Sequence, residues 1–90
     1  MKQAADEKLR EEMAETIMQK TVAIMAEYKR LPLIEKMLRF DSLTKKEKDY
    51  IKAVMYLQSR IYRLLQIGAV RPAVKQYLIL QKVHRRVLGC

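Results

Sequence analysis

The sequence predicts an all-α domain of three or four helices, with a long N-terminal helix packed on a C-terminal helical hairpin or helix-turn-helix-like unit. Three observations lead there. Apolar residues recur at three- and four-residue steps along most of the chain, the period of a helix with one buried face. Two glycines and two prolines leave little punctuation for a sheet with many turns. Half of the 90 residues are apolar, enough to fill one core but, at this length, no more than one, so residues 1–90 read as a single domain.

Residues 1–31 read as one amphipathic helix. Leu9, Met13, Ile17, Thr21, Ile24, Tyr28 and Leu31 fall on one side, and from Ile17 onward they keep a heptad spacing. Glu11, Glu12, Glu15, Gln19 and Lys29 take the other side, with the acids gathered early, where they complement the helix dipole. Pro32 disfavours helical geometry at Leu31 and ends that helix. It can open a second, short helix within residues 32–41 that buries Ile34, Met37 and Leu38.

Thr44-Lys45-Lys46-Glu47 has the pattern of a capping box and starts a third helix, residues 44–68, with Gly68 as the residue beyond its cap. Its expected core arc is Ile51, Val54, Met55, Gln58, Ile61, Tyr62 and Leu65, with Leu57 and Leu64 at the edge. No breaker interrupts the arc, which favours one continuous helix. Pro72 suits the first position of a fourth helix, residues 72–88, with Gly89 beyond it. Its expected core side is Ala73, Tyr77, Leu80, Val83, His84 and Val87.

Charge is the feature that points outward. All ten acids lie before Tyr50, whereas residues 50–90 carry Lys52, Arg60, Arg63, Arg71, Lys75, Lys82, Arg85 and Arg86. Eight of the nine net positive charges therefore belong to the acid-free half. A folded, apolar half of one sign repels itself, so the arrangement points to a polyanionic or strongly acidic partner.

Two stripes stand out within that half. Lys52, Tyr56, Arg60, Arg63 and Ile67 lie away from the core arc of the third helix, and Lys75, Ile79, Lys82 and Arg86 lie opposite the core side of the fourth. A tyrosine among arginines can stack on bases while the guanidinium groups take phosphates. Solvated surface, or cover by another helix, would explain the same residues. Lys45, Lys46 and Lys48 crowd the first turn of the third helix, where cations oppose the dipole. An anion held between these lysines and the helix amides would offset that cost, and the three are expected as a separate anchor.

Leu43-Thr44-Lys45-Lys46-Glu47, then Ile51, then Arg71-Pro72-Ala73-Val74-Lys75-Gln76-Tyr77-Leu78 resembles a bacterial helix-turn-helix of the sigma region-four or LuxR type. The resemblance covers residues 43–88. It implies DNA reading by the fourth helix, with Arg71, Ala73, Lys75 and Gln76 at the major groove and Gln76 facing adenine. Such a unit needs a break near Leu57–Ser59, where the sequence has no glycine or cap.

Chemistry finds no support. The acid-free half offers no carboxylate base, and no glycine-rich phosphate loop, nucleophile elbow or paired carboxylates appear, so no enzyme and no cofactor are expected. One histidine and one cysteine cannot make a metal set of known spacing, and His84 reads as a packed residue. The single Cys90 excludes an intramolecular disulfide and fits a reducing, cytoplasmic setting. Apolar runs are too short for a membrane span, and the first residues lack the apolar segment of a secretory signal.

The expectation is a non-catalytic nucleic-acid-binding protein, DNA before RNA, of a regulatory or phage type. Phosphates would be taken by Arg60, Arg63, Arg71, Lys75, Lys82 and Arg86. The alternative is a module that docks its basic, Tyr- and Met-bearing surface on an acidic protein, or a subunit embedded in the RNA of a large particle. The heptad spacing would also allow a homodimer through residues 13–31.

Overall fold

The computed structural model describes residues 2–88, with side-chain surroundings for residues 6–87. Gly89, expected beyond the last helix, and the lone thiol of Cys90 lie outside the described residues. Four helices and no strand appear among the described residues: α1 (Lys2–Lys29), α2 (Pro32–Leu38), α3 (Lys45–Gln66) and α4 (Val70–Leu88).

Each boundary has a local cause. Leu31 is extended (φ −68°, ψ 143°), as a residue before proline must be, and Pro32 opens α2 where its missing N–H is no loss. The α2 helix stops at Leu38, earlier than expected. The Asp41 N–H reaches back to the Lys36 carbonyl (2.9 Å) and the Phe40 N–H to that of Met37 (3.2 Å), a Schellman end with Phe40 at φ 59°. So short a helix buries only Leu33 and Ile34; Met37 and Leu38 are exposed, contrary to expectation.

The capping box of α3 closes in both directions. The Glu47 N–H donates to Thr44 Oγ1 (3.2 Å), and the Thr44 N–H donates to Glu47 Oε1 (3.0 Å). From there α3 runs unbroken through Leu57–Ser59 to Gln66. It ends in a second Schellman motif, with Ala69 N–H to Leu64 O (2.8 Å), Gly68 N–H to Leu65 O (3.2 Å) and Gly68 at φ 78°. The α4 helix then starts at Val70, two residues before the expected Pro72. Pro72 sits in the first turn, where helix N–H groups have no intrahelical partner to lose.

The short connection folds α3 and α4 into an antiparallel hairpin, the most extensive helix contact in the molecule. The α1 helix lies mainly along α4 and touches α3 less. One core unites Ile17, Ile24, Met25 and Tyr28 of α1, Leu33 and Ile34 of α2, Tyr50, Val54, Leu57 and Ile61 of α3, and Tyr77 and Leu80 of α4.

Four expectations change here. The first turns of α1 overhang the hairpin, so Leu9 and Met13 are exposed although they continue its apolar side. A helix of 28 residues is about 42 Å long against about 28 Å for the 19 residues of α4. On α3 the buried arc is turned toward Tyr50 and Leu57, leaving Met55 exposed, because α1 leans on α4 rather than across that flank. The heptad seam of α1 is spent within the chain: Ile17, Thr21, Ile24 and Tyr28 are all buried against the other helices. A dimer through residues 13–31 would need another face. Near the end of α4, Val87 is exposed rather than packed.

Candidate anion-binding face

Because α3 buries Tyr50, Val54, Leu57 and Ile61, the residues half a turn away face solvent. Lys45, Lys48, Lys52, Tyr56 and Arg63 form that row, with Arg60 and Ile67 beside it, and all seven are exposed. Lys46 is exposed but off the row. Lys45 and Lys48 thus extend the α3 stripe instead of forming a separate anchor, a relation already present in the three- and four-residue steps from Lys45 to Lys52. On α4, burial of Ala73, Tyr77, Leu80 and His84 turns Arg71, Lys75, Lys82 and Arg86 outward, again all exposed.

None of these cations forms an ion pair among the described residues. The ion pairs there are Lys36–Glu47 (3.6 Å) and Arg39–Glu35 (3.1 Å), and the His84 ring hydrogen-bonds Glu27 (2.8 Å). Each draws on an acid that precedes Tyr50. The hairpin therefore presents two rows of uncompensated charge.

Apolar side chains interleave with those rows. Tyr56 is 62% and Ile67 73% exposed, and Leu78 and Ile79 are exposed on α4. Among the described residues no helix covers them. Two residues placed at a major groove by the helix-turn-helix resemblance are less accessible: Ala73 is fully buried, and Gln76 is half-buried at the edge of the α4 core side.

At the α3 N-terminus an anion is already in place. The Glu47 carboxylate accepts the Thr44 amide, which holds it below the ordinary carboxylate range, and Lys36 adds to that effect. The helix dipole is answered from within the chain, and Lys45, Lys46 and Lys48 remain as free cations around it.

The geometry of the two rows is fixed by a polar junction that sequence reasoning missed. His84, only 3% exposed, sits between α1, α3 and α4. Its Nδ1 lies 2.9 Å from the Tyr50 hydroxyl and its Nε2 lies 2.8 Å from Glu27 Oε2. With the proton on Nε2, the ring donates to Glu27 and accepts from Tyr50, which satisfies all three groups. Burial first, then the nearby Tyr28 and Glu27, pushes the Tyr50 phenol up to about 12. Burial likewise raises Tyr28, whose ring is 5.9 Å from that of Tyr50. The Tyr50–His84–Glu27 chain ties α3, α4 and α1 together. Its signal in the sequence was a lone histidine on an apolar face, with nothing local to name its partners.

Among the described residues no cluster of three potential ligands could hold a metal ion, and no helix is long and apolar enough to cross a membrane. The chain matches no protein-family model, no curated protein and no solved structure in comparisons with each.

Proposed function

We propose that the chain is a non-catalytic nucleic-acid-binding protein that lays the α3/α4 hairpin on the phosphate backbone, with duplex DNA preferred over single-stranded RNA. The observation that carries this reading is the set of exposed, unpaired cations on two locked helices. The α3 row from Lys45 to Arg63 extends about 27 Å and the α4 row from Arg71 to Arg86 about 22 Å, each long enough to meet several phosphates. Straight, rigid rows match a regularly spaced duplex better than a flexible strand. With Ala73 buried and Gln76 half-buried, affinity rests on phosphates more than on base edges, and sequence preference should be slight. Binding without chemistry suits a regulatory role.

A second reading has its own observation. Exposed Tyr56, Ile67, Leu78 and Ile79 among the cations fit an acidic protein that would desolvate them. Anisotropy of labelled duplex DNA and single-stranded RNA, across salt from about 50 to 300 mM, separates the two. Nucleic-acid binding predicts a steep log–log salt slope that Arg63→Ala and Lys75→Ala each flatten by about one. Binding that vanishes at moderate salt, with capture of an acidic protein lost in Tyr56→Ala or Ile67→Ala, would replace the first reading with the second.

A further inference from the structure

Because α1 leans on α4, its other flank stands open beside α3. A groove of about 420 Å³ runs there, lined in part by Val22, Met25, Ala26, Met55 and Tyr62. Val22 is 52% exposed, and Met18 and Met55 are exposed beside it. Met18 and Val22 on α1, with Met55 beside them on α3, form an adaptable apolar strip facing solvent.

The spacing along that strip reads the same in both directions. Glu15, Met18, Val22, Ala26 and Lys29 follow one another at steps of three, four, four and three, all on one flank of α1 and all exposed. Reversed about Val22, Glu15 falls on Lys29, Met18 on Ala26 and Val22 on itself. Neither Glu15 nor Lys29 has an ion-pair partner among the described residues; Glu15 accepts only a 3.4 Å hydrogen bond from Gln19 Nε2.

We infer that the occupant of this flank is a second copy of the chain, with the two α1 helices antiparallel and a two-fold axis at Val22. Glu15 of one copy then faces Lys29 of the other, twice by symmetry, on either side of a shared apolar patch. An isologous interface requires such self-complementarity, and an unrelated helix would have no reason to match it. This seam lies about 130° around α1 from the heptad seam buried in the core. The contact is independent of what the α3/α4 face binds, since the cation rows take no part in it.

Sedimentation equilibrium of the full chain, with reductant present so that Cys90 contributes no disulfide, tests the pairing. The wild type should rise with concentration from 10.7 kDa toward twice that mass. Val22→Arg sets two guanidinium groups together at the axis, and Lys29→Glu sets carboxylate against carboxylate. Each should weaken association by about tenfold or more. Combining Glu15→Lys with Lys29→Glu exchanges the charges and should restore it. All three positions are exposed, so unchanged melting will show that the variants fold. A wild type that stays at 10.7 kDa at every concentration overturns the inference. So does association indifferent to Val22→Arg, or a charge exchange that restores nothing.

Discussion

The Tyr50 hydroxyl lies 2.9 Å from His84 Nδ1, joining two residues 34 apart in sequence across the open end of the α3/α4 hairpin. At the other end the chain turns tightly through Gly68. The hairpin is therefore held at both ends, and the two cation rows cannot slide past one another. Glu27 extends the hold to α1 through His84 Nε2. A basic surface built on separate, mobile helices would have to be ordered by any ligand it met; this one is ordered beforehand, which would lower the entropic cost of the proposed binding.

Tyr50→Phe tests that hold. The change removes the hydroxyl and leaves a buried imidazole nitrogen without a donor, at a cost of about 1–3 kcal/mol. For a domain of this size each kcal/mol moves the melting temperature by about 4–8 °C. Glu27→Gln should do less, because the Glu27 side chain is 60% exposed and water can replace the lost charge. Thermal melts of both variants decide the matter, and a Tyr50→Phe melt equal to wild type would remove the junction from the account of stability.

The raised Tyr50 phenol predicts alkaline sensitivity. Its ordinary value is 10.0 and its folded value about 12. Above pH 10 the unfolded chain gives up a proton that the folded chain keeps, so unfolding gains as pH rises. Stability from this group is complete below pH 10 and is lost as pH climbs through 12, by at most about 3 kcal/mol. The informative quantity is the difference from Tyr50→Phe, which isolates this one group. Urea denaturation at stepped pH should show a shallower decline for that variant, and parallel declines would mean that Tyr50 titrates alike in both states.

What the sequence made legible was set by local chemistry. The Thr44–Glu47 box, the stop at Pro32 and the turn at Gly68 rest on neighbouring residues, and each lies where the spacing predicts it. The exposure of Lys52, Arg63, Lys75 and Lys82 also followed from helical period alone. What failed depended on neighbours far along the chain. The α3 arc included Met55 because a wheel cannot say on which side α1 will settle. The α1 heptad pattern looked like a dimer seam because a sequence does not distinguish a partner helix from one's own α3 and α4. Lys45 and Lys48 were set apart from Lys52 by reading the helix start as an anion site of its own, although the helical steps already joined them to the stripe. Ala73 was placed at a groove by resemblance, whereas the α4 wheel already set it on the core side.

The two Schellman ends offer a controlled comparison, with glycine at one left-handed position and Phe40 at the other. An L-residue there costs about 1–2 kcal/mol, against about 0.5–1 kcal/mol of extra chain entropy for glycine. Phe40 is 96% exposed, so its ring contributes no packing. Phe40→Gly should therefore stabilise the fold by about 0.5–1 kcal/mol. At Gly68 an added Cβ meets nothing within 4 Å, so Gly68→Ala should cost about 1 kcal/mol from backbone strain alone. Urea midpoints moving in opposite directions bear this out; a lower midpoint for Phe40→Gly refutes it.

Thr21 is fully buried on α1, and its Oγ1 has no hydrogen-bond partner. Five residues earlier on the same helix, the exposed Thr16 hydroxyl donates to the Glu12 carbonyl at 2.8 Å, the usual relief for a helical threonine. Thr21 makes no such bond, and a buried hydroxyl left unpaired costs about 1–3 kcal/mol. Valine keeps the shape and the β-branch while removing the polar atom, so Thr21→Val should raise stability by about 1 kcal/mol. Thr21→Ser keeps the hydroxyl and deletes a methyl, and should lower it by about 1 kcal/mol. Chemical denaturation of the pair separates packing from polarity at one position. If valine destabilises as serine does, the hydroxyl has a partner in solution, and the desolvation argument fails at the one buried side-chain oxygen to which it applies most directly.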